Sequence, residues 1–277
     1  MAKYLQIPQD MKHILHLTLA LLALLACSPT ASSQRIVRSI DVPSGFSRVE
    51  AGGFGSYLRG LPLKPEGNVV RLYNGLPKAW QRGAYAVIDM EIGEKDLQQC
   101  ADAVIRLRAE YLWAAGRRDE IRFNFTSGFR ADYAKWADGY RIRVKGNEVE
   151  WYKGAAPDTS HAAFRKYLDC VFMYAGSASL SRELAPVSVA DLRIGDVFII
   201  GGHPGHAMII VDMATDGKGK TAILVAQSYM PAQDIHIVTN LNDRRNSPWY
   251  VFDSGVSAFD FPEWSFTPSQ LKRFCED

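Results

Sequence analysis

One residue stands out for its chemistry: His206, the single polar ring in the run Gly205-His206-Ala207-Met208-Ile209-Ile210-Val211. A histidine at the mouth of an apolar strand must either hydrogen-bond or face a cleft, because burying it unpaired costs about 1–3 kcal/mol. Thiols are the second resource. The chain has 4 cysteines, Cys27, Cys100, Cys170 and Cys275. If Cys27 is set aside for lipid, an odd number remains, and in an exported protein that leaves an unpaired thiol or an intermolecular bond. Cys170 sits in an aromatic-rich stretch and reads as core, and Cys275 lies near the end of the chain. Two other chemistries are open. His203 and His206 with His236 or Asp212 are a conceivable zinc set, although no spacing specifies a further ligand. Asp89 and Glu91 alternate along a strand pattern, as a carboxylate pair for glycoside hydrolysis or simply as its solvent face. Tyr133, Trp136, Tyr140, Trp151 and Tyr152 suit a groove for a glycan or peptide equally as they suit a core.

The start of the chain is an address. Lys12 precedes the apolar run Ile14–Ala26, which stops at Cys27. That is the order of a signal peptide, and the run is shorter than the roughly 20 apolar residues a membrane span requires. Leu24-Leu25-Ala26-Cys27 resembles the lipobox of bacterial lipoproteins, which implies cleavage before Cys27 and its acylation. The expected segments are a signal peptide over 1–26, a tether over 27–35, and one domain over 36–277. Ser28 after the lipidated cysteine carries no inner-membrane retention aspartate, so an outer-membrane envelope location is expected. The alternative is an ordinary secretory cut near Ala31 or Ser32. Formal net charge is +2, and no basic run or aromatic-basic stripe marks a nucleic-acid interface.

Residues 36–92 read as β-rich, with strands over Ile36–Val42, Val69–Tyr73 and Ala84–Ile92. Apolar positions at i+3 and i+4 from Leu97 to Ala115 predict a helix over 94–115, ending at Gly116. A hairpin around Lys145-Gly146-Asn147 and a helix over Thr159–Tyr174 fall in 117–185, read as an insertion. Strands at Asp196–Ile200, Ala207–Asp212, Thr221–Ala226 and Ile235–Val238 make an antiparallel meander over 186–240, and 241–277 reads as a tail. The class is α+β.

The stretch Leu192 to Phe198 with its Gly195-Asp196 turn, followed by Gly205-His206 and a second apolar strand, resembles the catalytic core of NlpC-type cell-wall endopeptidases and CHAP amidases. The resemblance implies a papain-like core, with His206 as general base and a cysteine near the start of an earlier helix as nucleophile. Cys100 is the cysteine so placed. The third group that orients the imidazole comes from the end of the next strand in those families, where this chain has Gln227 in place of their His, Asn or Glu. The Asp-Cys-Ser-Gly signature around the nucleophile is absent here, and a helix starting at Glu94 puts Cys100 in its second turn. The motifs Gln99-Cys100-Ala101-Asp102-Ala103, Asn124-Phe125-Thr126, Pro204-Gly205-His206-Ala207 and Ala226-Gln227-Ser228-Tyr229-Met230 resemble those of an envelope lipoprotein family described as domain of unknown function 4846.

The expectation is therefore a lipid-anchored cysteine amidase or peptidase acting on peptidoglycan peptides or a related amide, with Cys100, His206 and Gln227 as its site and no cofactor. A thiol has a free pKa near about 8.5, which a helix N-terminus and an imidazolium lower, so the expectation includes a thiolate at neutral pH. The competing expectation is a non-catalytic binding or scaffold lipoprotein on the same fold, with Cys100 as a small buried core residue.

Overall fold

The computed structural model describes residues 34–65, 67 and 69–275; Cys27 and the expected signal segment lie outside the described residues. Residues 36–92 hold less strand than their composition suggests. The stretch expected as a strand over Ile36–Val42 instead makes a 3-10 turn at Val37–Ser39, which buries Val37 and Ile40 together. Around Val69–Tyr73 only isolated bridges form, because the Gln81 side chain takes both the N–H and the C=O of Val70 at 2.9 Å each. The regular elements here are strand β1 (Ser47–Arg48), helix α1 (Gly53–Arg59) and strand β2 (Ala84–Val87).

The next helix, α2, spans Cys100–Ala114 and starts six residues later than the periodicity predicts. Local hydrogen bonding decides this. Gln99 has extended backbone angles, and its N–H donates to Asp102 Oδ2 at 3.0 Å, the return half of a capping box. Upstream, Asp96 Oδ1 accepts from Gln99 Nε2 (3.1 Å) and from the Ala232 N–H (2.6 Å), which ties the segment to a distant loop. The consequence is that Cys100 is the first residue of the helix.

Residues 117–185 contain a hairpin of β3 (Arg122–Asn124) and β4 (Arg130–Asp132), helix α3 (Tyr133–Ala137), the expected hairpin of β5 (Tyr140–Lys145) and β6 (Glu148–Lys153), helix α4 (His161–Tyr174) and helix α5 (Ser177–Glu183). Gly146 takes φ +61° at the first turn position of the β5–β6 hairpin, a conformation that favours glycine. Ser160 caps α4 by accepting from Ala163 N–H. Of the aromatics considered for a groove, Tyr133 and Trp136 are buried in the main core with Phe164 and Tyr167 and Trp151 packs against it, whereas Tyr140 is half-buried and Tyr152 exposed.

After the short β7 (Ala185–Pro186), the meander follows as read from sequence: β8 (Val197–Ile200), β9 (His206–Thr215), β10 (Lys220–Gln227) and β11 (His236–Val238). The expected tail does not behave as one. It supplies β12 (Tyr250–Asp253) alongside β10, the β13 (Phe259–Asp260) and β14 (Ser265–Phe266) hairpin, and β15 (Leu271–Arg273) alongside β8. Among the described residues the main sheet runs β2-β11-β10-β9-β8-β15-β7, with β1 paired to β9.

Side chains alternate across a strand, so both faces of a fully covered strand are apolar. Ala207, Ile209, Val211, Leu224 and Ala226 join the core that contains α2. Met208, Ile210, Ile223 and Val225 pack instead with Phe198, Phe259, Phe261 and Phe266. The C-terminal segment thus closes the second face, which explains the uninterrupted apolar run after His206. The architecture is α+β, a large antiparallel sheet with helices on one side.

Candidate active site

Three strands bring polar side chains to one end of the sheet. His206 opens β9, Gln227 ends β10, and His236 opens β11 directly opposite Gln227. His206 Nε2 lies 2.8 Å from Gln227 Oε1. Gln227 Nε2 donates to Glu263 Oε2 at 2.7 Å and lies 3.4 Å from His236 Nε2. The His206 ring is stacked on Trp264, with ring centres 5.0 Å apart and planes at 12°, and sits 5.0 Å from the Tyr229 ring. Trp264 Nε1 donates to Tyr229 Oη at 3.0 Å, which joins these two covers.

Cys100 approaches the same end from α2. The backbone amides of Ala207, Ala101 and Cys100 itself are directed at its sulfur, and the first-turn amides of a helix have no intrahelical acceptor. The thiol therefore meets the strand at Ala207, the residue after His206. Among the described residues no thiol–imidazole hydrogen bond is formed; the imidazole bond goes to Gln227. Catalytic hydrogen bonds are often long before substrate binds. Ser228 Oγ lies within hydrogen-bond distance of both Gln98 O (3.0 Å) and Gln233 O (2.9 Å), which holds the loop after β10 to the residues just before Cys100.

A cleft of about 330 Å³ opens beside the thiol. Cys100 and Asp102 line it, together with Phe172 and Met173 from α4 and Met230 from the loop after β10. Met173 and Met230 are 53% and 63% exposed, which leaves an apolar rim to the opening. His206 is only 2% exposed, and its ring packs with Trp264 and Phe266 on the face of the sheet opposite α2 rather than lining this cleft. The glycine before it is required by space: a Cβ on Gly205 would lie 2.3 Å from Ser177 Oγ and 2.4 Å from Gly202 O.

A family model described as a domain of unknown function (4846) matches residues 36–273. The chain belongs to this family. No curated protein and no solved structure matches it.

In this member of the 4846 family, burial dominates the electrostatics of the site. It pushes His206 down to about 4, aided by the charge of Lys78 and opposed by the Gln227 bond. It pushes His236 down to about 3, with the Asp234 carbonyl opposing. The Cys100 thiol is raised above its ordinary value, first by burial and then by Asp102, against the pull of the three amides. Asp102 itself is pushed up to about 8 by burial. At rest the thiol and the imidazole are both neutral, in place of the thiolate expected at neutral pH. Desolvation outweighs the helix N-terminus here.

The other residues singled out from sequence have structural partners. Asp196, in the Gly-Asp turn, is fully buried and accepts from Arg273 at 2.6 and 2.8 Å, which binds β15 to the sheet. Asp212 is held between Arg48 and Arg59, each at 2.7 Å, so it does not stand with His206. Glu91 pairs with Arg106 and Arg165. His203 lines the cleft on an exposed loop. Cys170 is partly buried and Cys275 exposed, its thiol directed at Glu183 O at 3.3 Å. Lys78 had no sequence signal pointing to the site, Glu263 and Trp264 had only a local cue, a polar-aromatic turn between two short apolar runs, and Asp102 entered only as part of the motif around Cys100.

Proposed function

We propose that the chain is a lipid-anchored envelope protein, exported and held in the outer membrane through Cys27, that hydrolyses an amide in cell-wall peptides by cysteine chemistry on a papain-like core. The observation that carries this reading is the placement of Cys100 as the first residue of α2, with its sulfur on the Ala207 amide, one residue along β9 from His206, whose ring is engaged by Gln227 on the other face of the sheet. The chain order supports it too: a cysteine-bearing helix, then a strand opened by histidine, then a strand ended by an amide side chain.

The steps follow from the neutral resting pair. As the Cys100 sulfur attacks the carbonyl carbon, the C–S bond forms and its proton passes to His206 Nδ1, a step that requires the ring to leave its stack on Trp264 and turn toward the α2 face. The first-turn amides of α2, which rest against the sulfur, are the donors available to turn to the oxygen that gains charge. Collapse breaks the C–N bond, and His206 returns the proton to the departing amine. Water, deprotonated by the same nitrogen, then cleaves the thioester to a carboxylate and restores the thiol. The cleft walls of Phe172, Met173 and Met230 suit a peptide with an apolar side chain near the scissile bond.

The test is incubation of the full-length chain with purified muropeptides, followed by mass spectrometry, with Cys100→Ala and His206→Ala beside it. New peptide fragments with the unaltered chain, lost in both variants, are expected. One observation favours a second reading, a binding lipoprotein without catalysis: a base held down to about 4 is a weak proton acceptor at neutral pH. Muropeptides that bind but remain intact at every pH would establish that reading and end the first.

A further inference from the structure

We infer that His236 and Glu263 decide which nitrogen of His206 carries its proton, by fixing which end of the Gln227 amide faces it. The inference rests on His206 as the base of the proposed hydrolase, and it names two positioning residues for that base.

The argument starts at a backbone carbonyl. The Asp234 C=O can only accept, and His236 Nδ1 lies 3.1 Å from it. That nitrogen is therefore the N–H of the ring, and His236 Nε2 is left with a lone pair. Glu263 supplies the second acceptor. Lys78 Nζ holds its carboxylate at 2.7 and 2.8 Å, and its Oε2 lies 2.7 Å from Gln227 Nε2. The nitrogen of a side-chain amide has two protons to donate. One meets Glu263, and the other is directed at His236 Nε2, 3.4 Å away.

The reversed amide would set the Gln227 oxygen against a carboxylate and a lone pair at once. Two repulsive contacts would replace two attractive ones, in a place where Gln227 and His236 are almost completely buried. The oxygen must therefore face His206 Nε2, at 2.8 Å. An oxygen there requires an N–H on Nε2, and Nδ1 retains the lone pair that the proposed proton transfer needs. The pairing of β10 with β11, which sets Gln227 opposite His236, and the turn between β13 and β14 that carries Glu263 complete the chain of consequences. Both rings stay neutral at pH 7 through burial, so a single tautomer is a meaningful property of each.

Long-range proton–nitrogen correlation spectra of the histidine rings, in the full-length chain in mild detergent at pH 7, read the tautomers directly. The expected result is Nε2–H for His206 and Nδ1–H for His236. Glu263→Met removes the acceptor at similar length, and an Nδ1–H population of His206 should then appear. Glu263→Gln keeps an acceptor oxygen and should preserve the original form. Muropeptide cleavage should fall about tenfold in Glu263→Met, the effect of losing one hydrogen bond of ordinary strength. An Nδ1–H His206 in the unaltered chain would overturn the inference without any variant, and so would an unchanged His206 tautomer in folded Glu263→Met. An Nε2–H His206 in a protein that cleaves nothing would sink the hydrolase reading and leave the relay intact.

Discussion

Replacing Asp102 by asparagine should remove a pH-dependent penalty on folding. Asp102 is 6% exposed, its Oδ1 has no hydrogen-bond partner, and burial pushes its pKa up to about 8 from 3.8. Above 3.8 the unfolded chain releases this proton, whereas the folded chain keeps it until about 8. The folded state thus binds one more proton throughout that window, and stability falls as pH rises through it. Each pH unit is worth about 1.4 kcal/mol for one group, so from pH 5 to 7 Asp102 costs roughly 2.7 kcal/mol that asparagine does not. Asparagine keeps an oxygen for the Gln99 N–H, and it resembles the neutral acid in size, so the two proteins should be close in stability near pH 4. Urea unfolding of both at pH 5, 6, 7 and 8 gives the difference directly. A gap that widens with pH and levels off above pH 8 is expected; a flat gap would refute the reasoning. The same substitution should speed iodoacetamide labelling of Cys100 only above about pH 8, where the charged Asp102 opposes the thiolate.

Four further outcomes are expected. In the Asp102→Asn background, stability should drop as pH falls from 6.5 toward 4, by up to about 2.7 kcal/mol per unit, because the unfolded chain protonates His206 and His236 while the folded chain keeps them neutral; denaturation curves that superimpose between pH 6 and 4.5 would contradict this. Arg273→Ala leaves Asp196 buried without its cation and should cost about 3–5 kcal/mol in chemical denaturation, and a loss below 1 would show that the pair is dispensable. Gly205→Ala forces a Cβ into Ser177 and Gly202 and should destabilise by about 1–3 kcal/mol, with an unshifted melting temperature counting against the close approach. Globomycin should cause unprocessed precursor to accumulate in the producing bacterium, as should Cys27→Ser; normal processing in either case would refute lipidation.

Local pattern made much of the fold readable. The meander from Val197 to Val238, the hairpin at Gly146 and the helix ending at Tyr174 follow from apolar periodicity and turn chemistry, which act over a few residues. The start of α2 did not follow. Leu97 and Ala101 keep helical spacing, but Asp96 is bound to Ala232 and Gln99 is capped by Asp102, and only one of those partners is local. The strand expected at Val69–Tyr73 failed for a similar reason, since a glutamine side chain took its backbone groups.

The candidate site divides in the same way. The sequence alone marks His206 as out of place in an apolar strand, because it breaks a local pattern, whereas Cys100 and Gln227 are singled out only by the resemblance to cell-wall peptidases. The tertiary structure alone decides that the thiol rests on the Ala207 amide, that burial leaves both groups neutral, and that Glu263, 36 residues from Gln227, orients its amide. Periodicity records which face a residue turns inward. Charge state and amide orientation depend on what lies across that face, and here it is a C-terminal segment whose sequence looks like a tail.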